Sequence, residues 1–229
     1  MRAVETKCVA PSEIIDQATA GIVGGIAEKI IEADYIARMG SVPFATDFFD
    51  VGGAVPYIAF LAAHNPSVDV PLLAVQAGLS GGVLIPDILA DNGTRKEYYE
   101  IKPNSVDGRP AGRAKLAAIA AFMAFNTLPY VPGTTYVPTP RIPLPGVGAI
   151  AMAALNAPAL ACGPPEISLE PILMAPGLIV YRICITADFE CILKVIALEA
   201  LAAAVIAAII ASEGALAPVL VPVLAPVGL

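Results

Sequence analysis

The dipeptide Asn92-Gly93 limits the fold of this chain more than any other feature, because it separates two segments with strand character. Asparagine followed by glycine is the preferred pair in two-residue hairpin turns, where both residues need a positive φ. The segment 83–89 is apolar and rich in β-branched residues, and the segment 95–102 alternates in character until a proline ends it. Residues 83–102 are therefore predicted to form a β-hairpin.

The predicted turn also sets the pairing between the two strands. With a two-residue loop, Asp91 pairs with Thr94 and Asp87 lies opposite Tyr98. Because side chains alternate between the two faces of a strand, Glu100 then lies on the same face as Asp87 and diagonal to it. Diagonal neighbours are about 7–8 Å apart, which lets two carboxylates share one ion.

Lys102 lies on the same face as these two acids, so the hairpin gathers two carboxylates and one ammonium group. Carboxylate oxygens are the ligands that Mg²⁺ and Mn²⁺ prefer, and the carbonyl of Ile101 offers a further oxygen. Such an ion can polarise a phosphodiester and activate a water molecule, while a nearby lysine stabilises the developing negative charge. The predicted site therefore consists of Asp87, Glu100, Ile101 and Lys102.

The same residues carry a resemblance to a known family. Pro86-Asp87, a spacer of twelve residues and then Glu100-Ile101-Lys102 match the pattern P-D-(x)n-E-x-K. The chain thereby resembles the PD-(D/E)XK nuclease superfamily, whose fold is called restriction-endonuclease-like. The flanking segment 98–116 looks like the version found in bacterial polymorphic toxins.

The resemblance implies roles for residues within 12–126. It makes Asp87 and Glu100 the metal ligands and Lys102 the catalytic lysine, with Mg²⁺ or Mn²⁺ as the cofactor. The family often adds a glutamate from the preceding helix, and Glu28 or Glu32 is placed for that role. The following helix supplies polar contacts to the substrate, and the candidates for contacts to phosphate are Arg109, Arg113 and Lys115.

The charge of the chain gives two opposing indications about nucleic acid. The net charge is −7 and the pI is about 4.7, whereas proteins that bind phosphates usually have a basic balance. Within 95–115, however, six basic residues face three acidic ones, which leaves a local charge of +3. A positive segment on an acidic protein can still steer a phosphate substrate.

Helical patterns flank the hairpin on both sides. Ser12 is a suitable N-cap for a helix whose isoleucines repeat with helical spacing and which ends near Met39-Gly40. Pro110 suits the first turn of a second helix, which ends near Asn126. The order helix, hairpin, helix is the core that the resemblance implies.

Residues 127–229 are predicted to extend this core within one domain that spans 1–229. The expected fold class is α+β or mixed α/β, with an apolar helical C-terminal extension. The expected elements of the extension are a proline-rich loop at 129–148, a hairpin at 166–186 that turns at Pro176-Gly177, an Ala-rich helix at 188–212 and an extended tail at 215–229.

The cysteines and the single histidine are predicted to lie outside the chemistry. Cys8, Cys162, Cys184 and Cys191 are widely spaced, so buried free thiols are expected, with a Cys184–Cys191 disulfide as the alternative. His64 precedes Asn-Pro and is expected to form a hydrogen bond in a loop rather than to act as a general base. Asp91 and Glu97 are expected to be turn and surface residues.

The leading functional hypothesis is a metal-dependent nuclease, most simply a DNase, that acts as an antibacterial toxin or effector. The expected partners are DNA and, by resemblance, an immunity protein. No secretory signal is visible in 1–13, so the expected location is the bacterial cytoplasm or a target reached through a specialised secretion system.

Apolar residues make up 57% of the chain, which supports a second hypothesis of a membrane-active or interaction module that uses the C-terminal region. Within this second hypothesis, contact with a membrane is less favoured than contact with a protein partner, since the apolar stretch at 200–211 is too short to span a bilayer. A third hypothesis is a nuclease-like fold without catalysis.

Overall fold

A computed structural model describes residues 4–13, 15–40, 44–46, 56–80, 84–91, 93–155, 162–193 and 197–212. Within these residues the fold is mixed α/β and is built around one curled sheet of eight strands. The strands are β1 (Glu5–Val9), β2 (Phe44–Thr46), β3 (Ile88–Asp91), β4 (Lys96–Pro103), β5 (Val131–Pro132), β6 (Ile142–Pro143), β7 (Glu166–Ala175) and β8 (Leu178–Ala187). The helices are α1 (Gln17–Met39), α2 (Tyr57–His64), α3 (Val70–Leu79), α4 (Gly108–Phe125), α5 (Val147–Ala154), α6 (Phe189–Ile192) and α7 (Leu198–Ala211).

The main path of the sheet runs β2-β3-β4-β8-β7-β6. Strands β2, β3 and β4 pair antiparallel, β4 pairs parallel to β8, and β8 forms a long antiparallel hairpin with β7. Strand β1 pairs with the second half of β8, and β5 pairs with β4. The parallel β4–β8 pair lies at the centre, so β4 is enclosed by neighbours and by helices.

Two apolar layers cover the faces of the sheet. One layer contains residues of α1, α5 and α7 together with Tyr99 and Ile101 of β4. The other contains residues of α2 and α4 together with Tyr98 of β4 and Leu178 of β8. The alternation of side chains along β4 therefore sends Glu100 and Lys102 to the face that α4 covers.

Helix α1 begins later than the sequence pattern predicted. Asp16, not Ser12, is the N-cap, and its carboxylate accepts a hydrogen bond from the backbone N–H of Thr19 at 3.0 Å. The predicted end is correct, because Gly40 adopts φ +67° and its N–H donates to the carbonyl of Ile36 at 3.0 Å. The residues around Ser12 instead form a short 3-10 turn that follows strand β1.

The predicted hairpin is present in part. Its first strand, predicted over 83–89, begins only at Ile88, so Asp87 precedes the strand, and the register also differs from the prediction. The last pair is Asp91 with Lys96, not Asp91 with Thr94, so the connection is two residues longer than expected. Asn92 lies outside the described residues, while Gly93 has φ +80° and donates its N–H to the carboxylate of Asp91 at 2.8 Å. A shift of two residues leaves every side chain on its predicted face.

In the C-terminal extension the hairpin at 166–186 is confirmed, with Gly177 at φ +73° in its turn. The single helix predicted over 188–212 is replaced by the short α6 and by α7. Most of α7 is buried against α1 and α5, as expected for a buried Ala-rich helix. The predicted tail at 215–229 lies outside the described residues. None of the helices in the described part of the chain has the length and hydropathy needed to cross a lipid bilayer.

The prediction of four free thiols is wrong. Cys8 forms a disulfide with Cys184, its direct partner across β1 and β8, with 4.0 Å between their Cα atoms. Cys162 forms a second disulfide with Cys191 at the start of the C-terminal helices. The alternative pairing of Cys184 with Cys191 is therefore also wrong. The wide sequence spacing of these cysteines hid contacts that form only in the folded chain, and strand pairing creates the Cys8–Cys184 contact.

Candidate functional site

Asp87 and Glu100 lie side by side at the end of the β3–β4 pair. The last residues paired at this end are Ile88 and Tyr99, so the next position in the register sets Asp87 opposite Glu100 rather than diagonal to it. The carboxylate of Asp87 accepts a hydrogen bond from the backbone N–H of Ile101 at 2.5 Å. This bond holds the residue that precedes β3 against β4 and orients its carboxylate.

Two ammonium groups complete the cluster. Lys115 Nζ, from α4, lies 3.1 Å from Asp87 Oδ1 and 2.9 Å from Glu100 Oε2. Lys102 Nζ, from β4, forms an ion pair with Glu100 and lies 3.7 Å from Asp87 Oδ2. It also donates to the backbone carbonyl of Ile101 at 3.0 Å. Oxygens from three residues thus converge on two positive groups.

Because the two carboxylates are buried and the two ammonium groups are partly buried, the pKa values of Glu100, Lys102 and Lys115 depend strongly on the charges beside them. Asp87 is 1% exposed and Glu100 is fully buried. Burial raises the pKa of Glu100 to about 7, and the charge of Asp87 adds to the rise, whereas Lys102 and Lys115 act to lower it. For both lysines burial alone would lower the pKa, but the two carboxylates outweigh it and raise the pKa. Glu100 therefore changes its charge near neutral pH.

Close packing of α4 on the sheet brings its lysine to the carboxylates. A Cβ on Gly112 would lie 2.6 Å from Leu178 Cδ1 and 3.1 Å from Lys102 Cγ, so any larger residue would require these side chains or the helix to move. The glycine also packs against the aliphatic stem of Lys102. One helical turn further along, Lys115 lies at the edge of the same face and reaches over the sheet.

Helix α1 approaches the site from the other side of the sheet. The hydroxyl of Tyr181 lies 3.7 Å from the place where a Cβ on Gly24 would be. Burial raises the pKa of Tyr181, and the charges of Glu28 and Asp87 raise it further. Glu28 is thus close enough to act on the same hydroxyl as Asp87, while Glu32, one turn later, is fully buried.

The other predicted basic residues lie on the exposed side of α4. Arg109 and Arg113 are exposed, and Arg109 Nε donates to the side-chain oxygen of Asn104 at 2.6 Å. Lys115, which was predicted to contact phosphate, instead forms ion pairs with the two acids in this structure. The basic residues of α4 therefore divide into one that enters the site and two that face solvent beside it.

The donors present fit a hard divalent cation. Asp87 Oδ1 and Glu100 Oε2 both lie about 3 Å from a single ammonium nitrogen, which marks the point where a shared cation would be held. The carbonyl of Ile101 faces the neighbouring ammonium group and offers a third oxygen. An all-oxygen donor set with two carboxylates is the set that Mg²⁺ and Mn²⁺ select.

A second buried polar cluster was not predicted. Asp91, expected in an exposed turn, is 4% exposed and lies 2.7 Å from Lys96 Nζ and 3.2 Å from His64 Nδ1. Lys96 also donates to the side-chain oxygen of Asn65 at 3.2 Å. The ion pairs and hydrogen bonds join the end of α2 to the far end of the β3–β4 hairpin. His64 therefore ends a helix and pairs with a carboxylate instead of lying in a loop.

Glu97 is likewise buried, so its assignment as a surface residue is wrong. Its carboxylate accepts hydrogen bonds from the Tyr99 hydroxyl at 2.8 Å, from the Thr134 N–H at 3.2 Å and from the Thr135 hydroxyl. These bonds anchor the segment that follows β5. The shared face of Glu97 and Tyr99, two residues apart on a strand, was the only sequence signal for this contact.

Cys8, Glu170 and Cys184 also bring possible ligand atoms together. The two cysteines form a disulfide and so provide no thiolate for a metal. Comparisons of the chain with protein-family models, with curated proteins and with solved structures found no match. The chemistry of the Asp87–Glu100 cluster is therefore inferred from its own geometry.

Proposed function

We propose that this protein is a metal-dependent phosphodiesterase and that DNA is its substrate. The observation that carries the proposal is the convergence of Asp87 and Glu100 on one cation position, with Lys102 beside it. The three residues come from the motif P-D-(x)n-E-x-K, and a register two residues from the expected one still brings them together.

Asp87 and Glu100 would hold Mg²⁺ or Mn²⁺ with help from the Ile101 carbonyl. When bound, the ion supplies Lewis-acid polarisation of the phosphodiester and activation of a water molecule. Lys102 keeps its positive charge because two carboxylates raise its pKa. Its ammonium group is therefore available to stabilise the negative charge that develops on the phosphate oxygens.

The exposed face of α4 is the proposed substrate contact. Arg109 and Arg113 point to solvent from the helix whose Lys115 reaches the carboxylates. Guanidinium groups bind phosphate oxygens through paired hydrogen bonds, so these arginines suit a polyanionic backbone. Lys115 is the third proposed phosphate contact. The local positive charge offsets the acidic balance of the chain at this point.

A restriction-endonuclease-like core is part of the proposal. Its support is the order α1, the β3–β4 hairpin with the acids on one face, and α4, which is the order that the resemblance implies. The role as an antibacterial toxin or effector and the immunity protein as a partner rest on the sequence resemblance alone. Glu28 is the better candidate of the two for the additional acid, because its charge acts on Tyr181 together with that of Asp87.

The test is nicking of supercoiled plasmid by the purified chain with Mg²⁺, with Mn²⁺ and with EDTA. We expect cleavage only with the ions, and we expect Asp87→Asn, Glu100→Gln and Lys102→Met each to lower the rate about a hundredfold or more. Asp91→Asn is the matched control, since it neutralises a buried, lysine-paired acid at the other end of the same hairpin. It should retain cleavage per folded molecule.

Two results would contradict the proposal. One is cleavage that resists EDTA, and the other is full activity in all three site variants. DNA binding without cleavage, lost in the site variants, would instead support the hypothesis of an inactive nuclease-like module. The membrane hypothesis is tested separately by cosedimentation with anionic liposomes, and burial of α7 in the core is the observation against its use of that helix.

A further inference from the structure

We propose that Lys115 acts as an internal cation that excludes the divalent ion, so that the ion binds only when this ammonium group leaves the carboxylates. The inference rests on the proposed function, because it concerns the same metal site. Lys115 Nζ lies between Asp87 Oδ1 at 3.1 Å and Glu100 Oε2 at 2.9 Å. A divalent ion held by both carboxylates needs those same oxygens at about 2.0–2.2 Å, so the two cations cannot share the position.

The charges of the cluster lead to the same conclusion. The carboxylates of Asp87 and Glu100 balance the ammonium groups of Lys102 and Lys115, so the cluster is neutral when all four groups are ionised. A divalent ion added to this set would create an excess of two positive charges in a buried place. Release of one lysine lowers that excess from two positive charges to one. A divalent ion at the vacated position would then be bound by both carboxylates.

Lys115 is the lysine that can leave. Lys102 is held by its own strand, by a hydrogen bond to the Ile101 carbonyl and by packing of its stem against Gly112. Lys115 comes from a different element, and the exposed fractions of the two side chains are similar, 19% for Lys115 and 23% for Lys102, so the difference lies in what holds each lysine. Movement of the Lys115 side chain toward solvent would bring its ammonium group nearer to the exposed side of α4, where Arg109 and Arg113 lie. A substrate phosphate bound there offers the ammonium group a new partner.

The test measures binding of Mn²⁺ from the EPR signal of the free ion, at one fixed pH for all variants. Lys115→Met is compared with the wild type, and we expect it to bind Mn²⁺ about tenfold more tightly or better. Lys115→Gln repeats the change with a polar side chain in case methionine disturbs folding, which circular dichroism checks. Lys115→Arg keeps the charge and should bind no more tightly than the wild type.

Arg113→Met is the matched control, because it removes one positive charge from the exposed side of the same helix. We expect it to change the affinity for Mn²⁺ less than threefold, since solvent screens that charge. An equal gain in Arg113→Met and Lys115→Met would overturn the inference, because the effect would then be one of net charge.

The results also separate this inference from the proposed function. In one outcome, Mn²⁺ binds the wild type, Asp87→Asn abolishes that binding, and the Lys115→Met and Lys115→Gln variants bind Mn²⁺ no more tightly than the wild type. The metal site would then be supported, and the proposed role of Lys115 would be wrong. If neither the wild type nor any Lys115 variant binds Mn²⁺, the metal site itself is wrong and the inference is wrong with it.

Discussion

The carboxylate of Asp87 accepts a hydrogen bond from the backbone N–H of Ile101 at 2.5 Å. This contact extends the pairing of β3 and β4 by one position beyond their last backbone pair. The residue that would hold a metal ion therefore also completes the sheet. Substitutions of Asp87 act on chemistry and on stability at once, and the choice of replacement separates the two.

Asp87→Ala should destabilise the fold more than Asp87→Asn, because both remove the charge that pairs with Lys115 but only alanine also removes the acceptor for the Ile101 N–H. Alanine leaves the buried N–H of Ile101 without an acceptor, which costs about 1–3 kcal/mol of unfolding free energy. Asparagine keeps an oxygen in place but removes the charge. Urea unfolding of both variants measures the difference. If the two variants lose the same stability, the hydrogen bond contributes nothing to the fold.

Gly112→Ala should destabilise the protein although alanine is the better helix former. The added methyl group would lie 2.6 Å from Leu178 Cδ1 and 3.1 Å from Lys102 Cγ, so either these buried side chains or α4 must shift. Such overpacking costs about 1–3 kcal/mol. A shift of α4 would also draw Lys115 away from the carboxylates. In that case the variant should bind Mn²⁺ more tightly than the wild type, although it is less stable.

Gly21→Ala is the matched control for this substitution. Gly21 also lies within a helix, but nothing comes within 4 Å of the place where its Cβ would be. We expect a gain of about 0.5–1 kcal/mol from helix propensity alone. Unfolding free energies of the two variants that move in the same direction would contradict the packing explanation.

The raised pKa of Glu100 predicts opposite effects of pH on stability and on activity. Its pKa in the folded state is about 7, compared with a usual value of 4.5. The folded state therefore holds this proton more tightly, and the free energy of unfolding should fall as pH rises from about 4.5 to about 7. If the proposed function holds, metal-dependent cleavage should rise as pH passes about 7, because the ionised carboxylate would be the ligand.

Glu100→Gln tests the stability half of this prediction. Glutamine carries no titrating proton, so the fall in unfolding free energy across that pH range should be smaller than in the wild type. Urea unfolding of both proteins at about pH 5 and about pH 8 provides the comparison. If the unfolding free energy of the variant depends on pH as strongly as that of the wild type, a group other than Glu100 causes the dependence.

Removal of the two disulfides should have unequal effects. The Cys8–Cys184 bridge closes a loop with a sequence separation of 176, whereas the Cys162–Cys191 bridge closes one of 29. The chain-entropy relation gives about 5 kcal/mol for the longer loop and about 4 kcal/mol for the shorter one. Denaturant unfolding of the two paired Cys→Ser variants should therefore show the greater loss for Cys8 and Cys184. The reverse order would show that local contacts outweigh loop length.

The sequence predicted the proximity of Asp87, Glu100 and Lys102 better than it predicted the turn. Asn92-Gly93 indicated a two-residue loop with Asp91 opposite Thr94, but Asp91 pairs with Lys96, two residues later on the second strand. An even shift keeps the side chains on their faces, so Asp87, Glu100 and Lys102 still meet. A shift of one residue would have separated them.

The burial of charged side chains could not be predicted from the sequence. Asp91 and Glu97 lie in a short hairpin whose pattern suggested one solvated face, but helices cover both faces of the sheet. The partners of these acids, such as His64 and Thr135, are distant in sequence. The disulfides were missed for the same reason, because strand pairing between β1 and β8 creates the longer one. Long-range contacts of this kind have no local signature.

The Cys8–Cys184 bridge has a mechanical consequence. A load applied to the chain outside these two residues would pass directly across the covalent link and bypass most of the domain between them. Asp87 and Glu100 lie within the shielded stretch, so stretching the oxidised molecule would not pull directly on them. Passage in single file through a narrow channel would first require a reductant to open the loop.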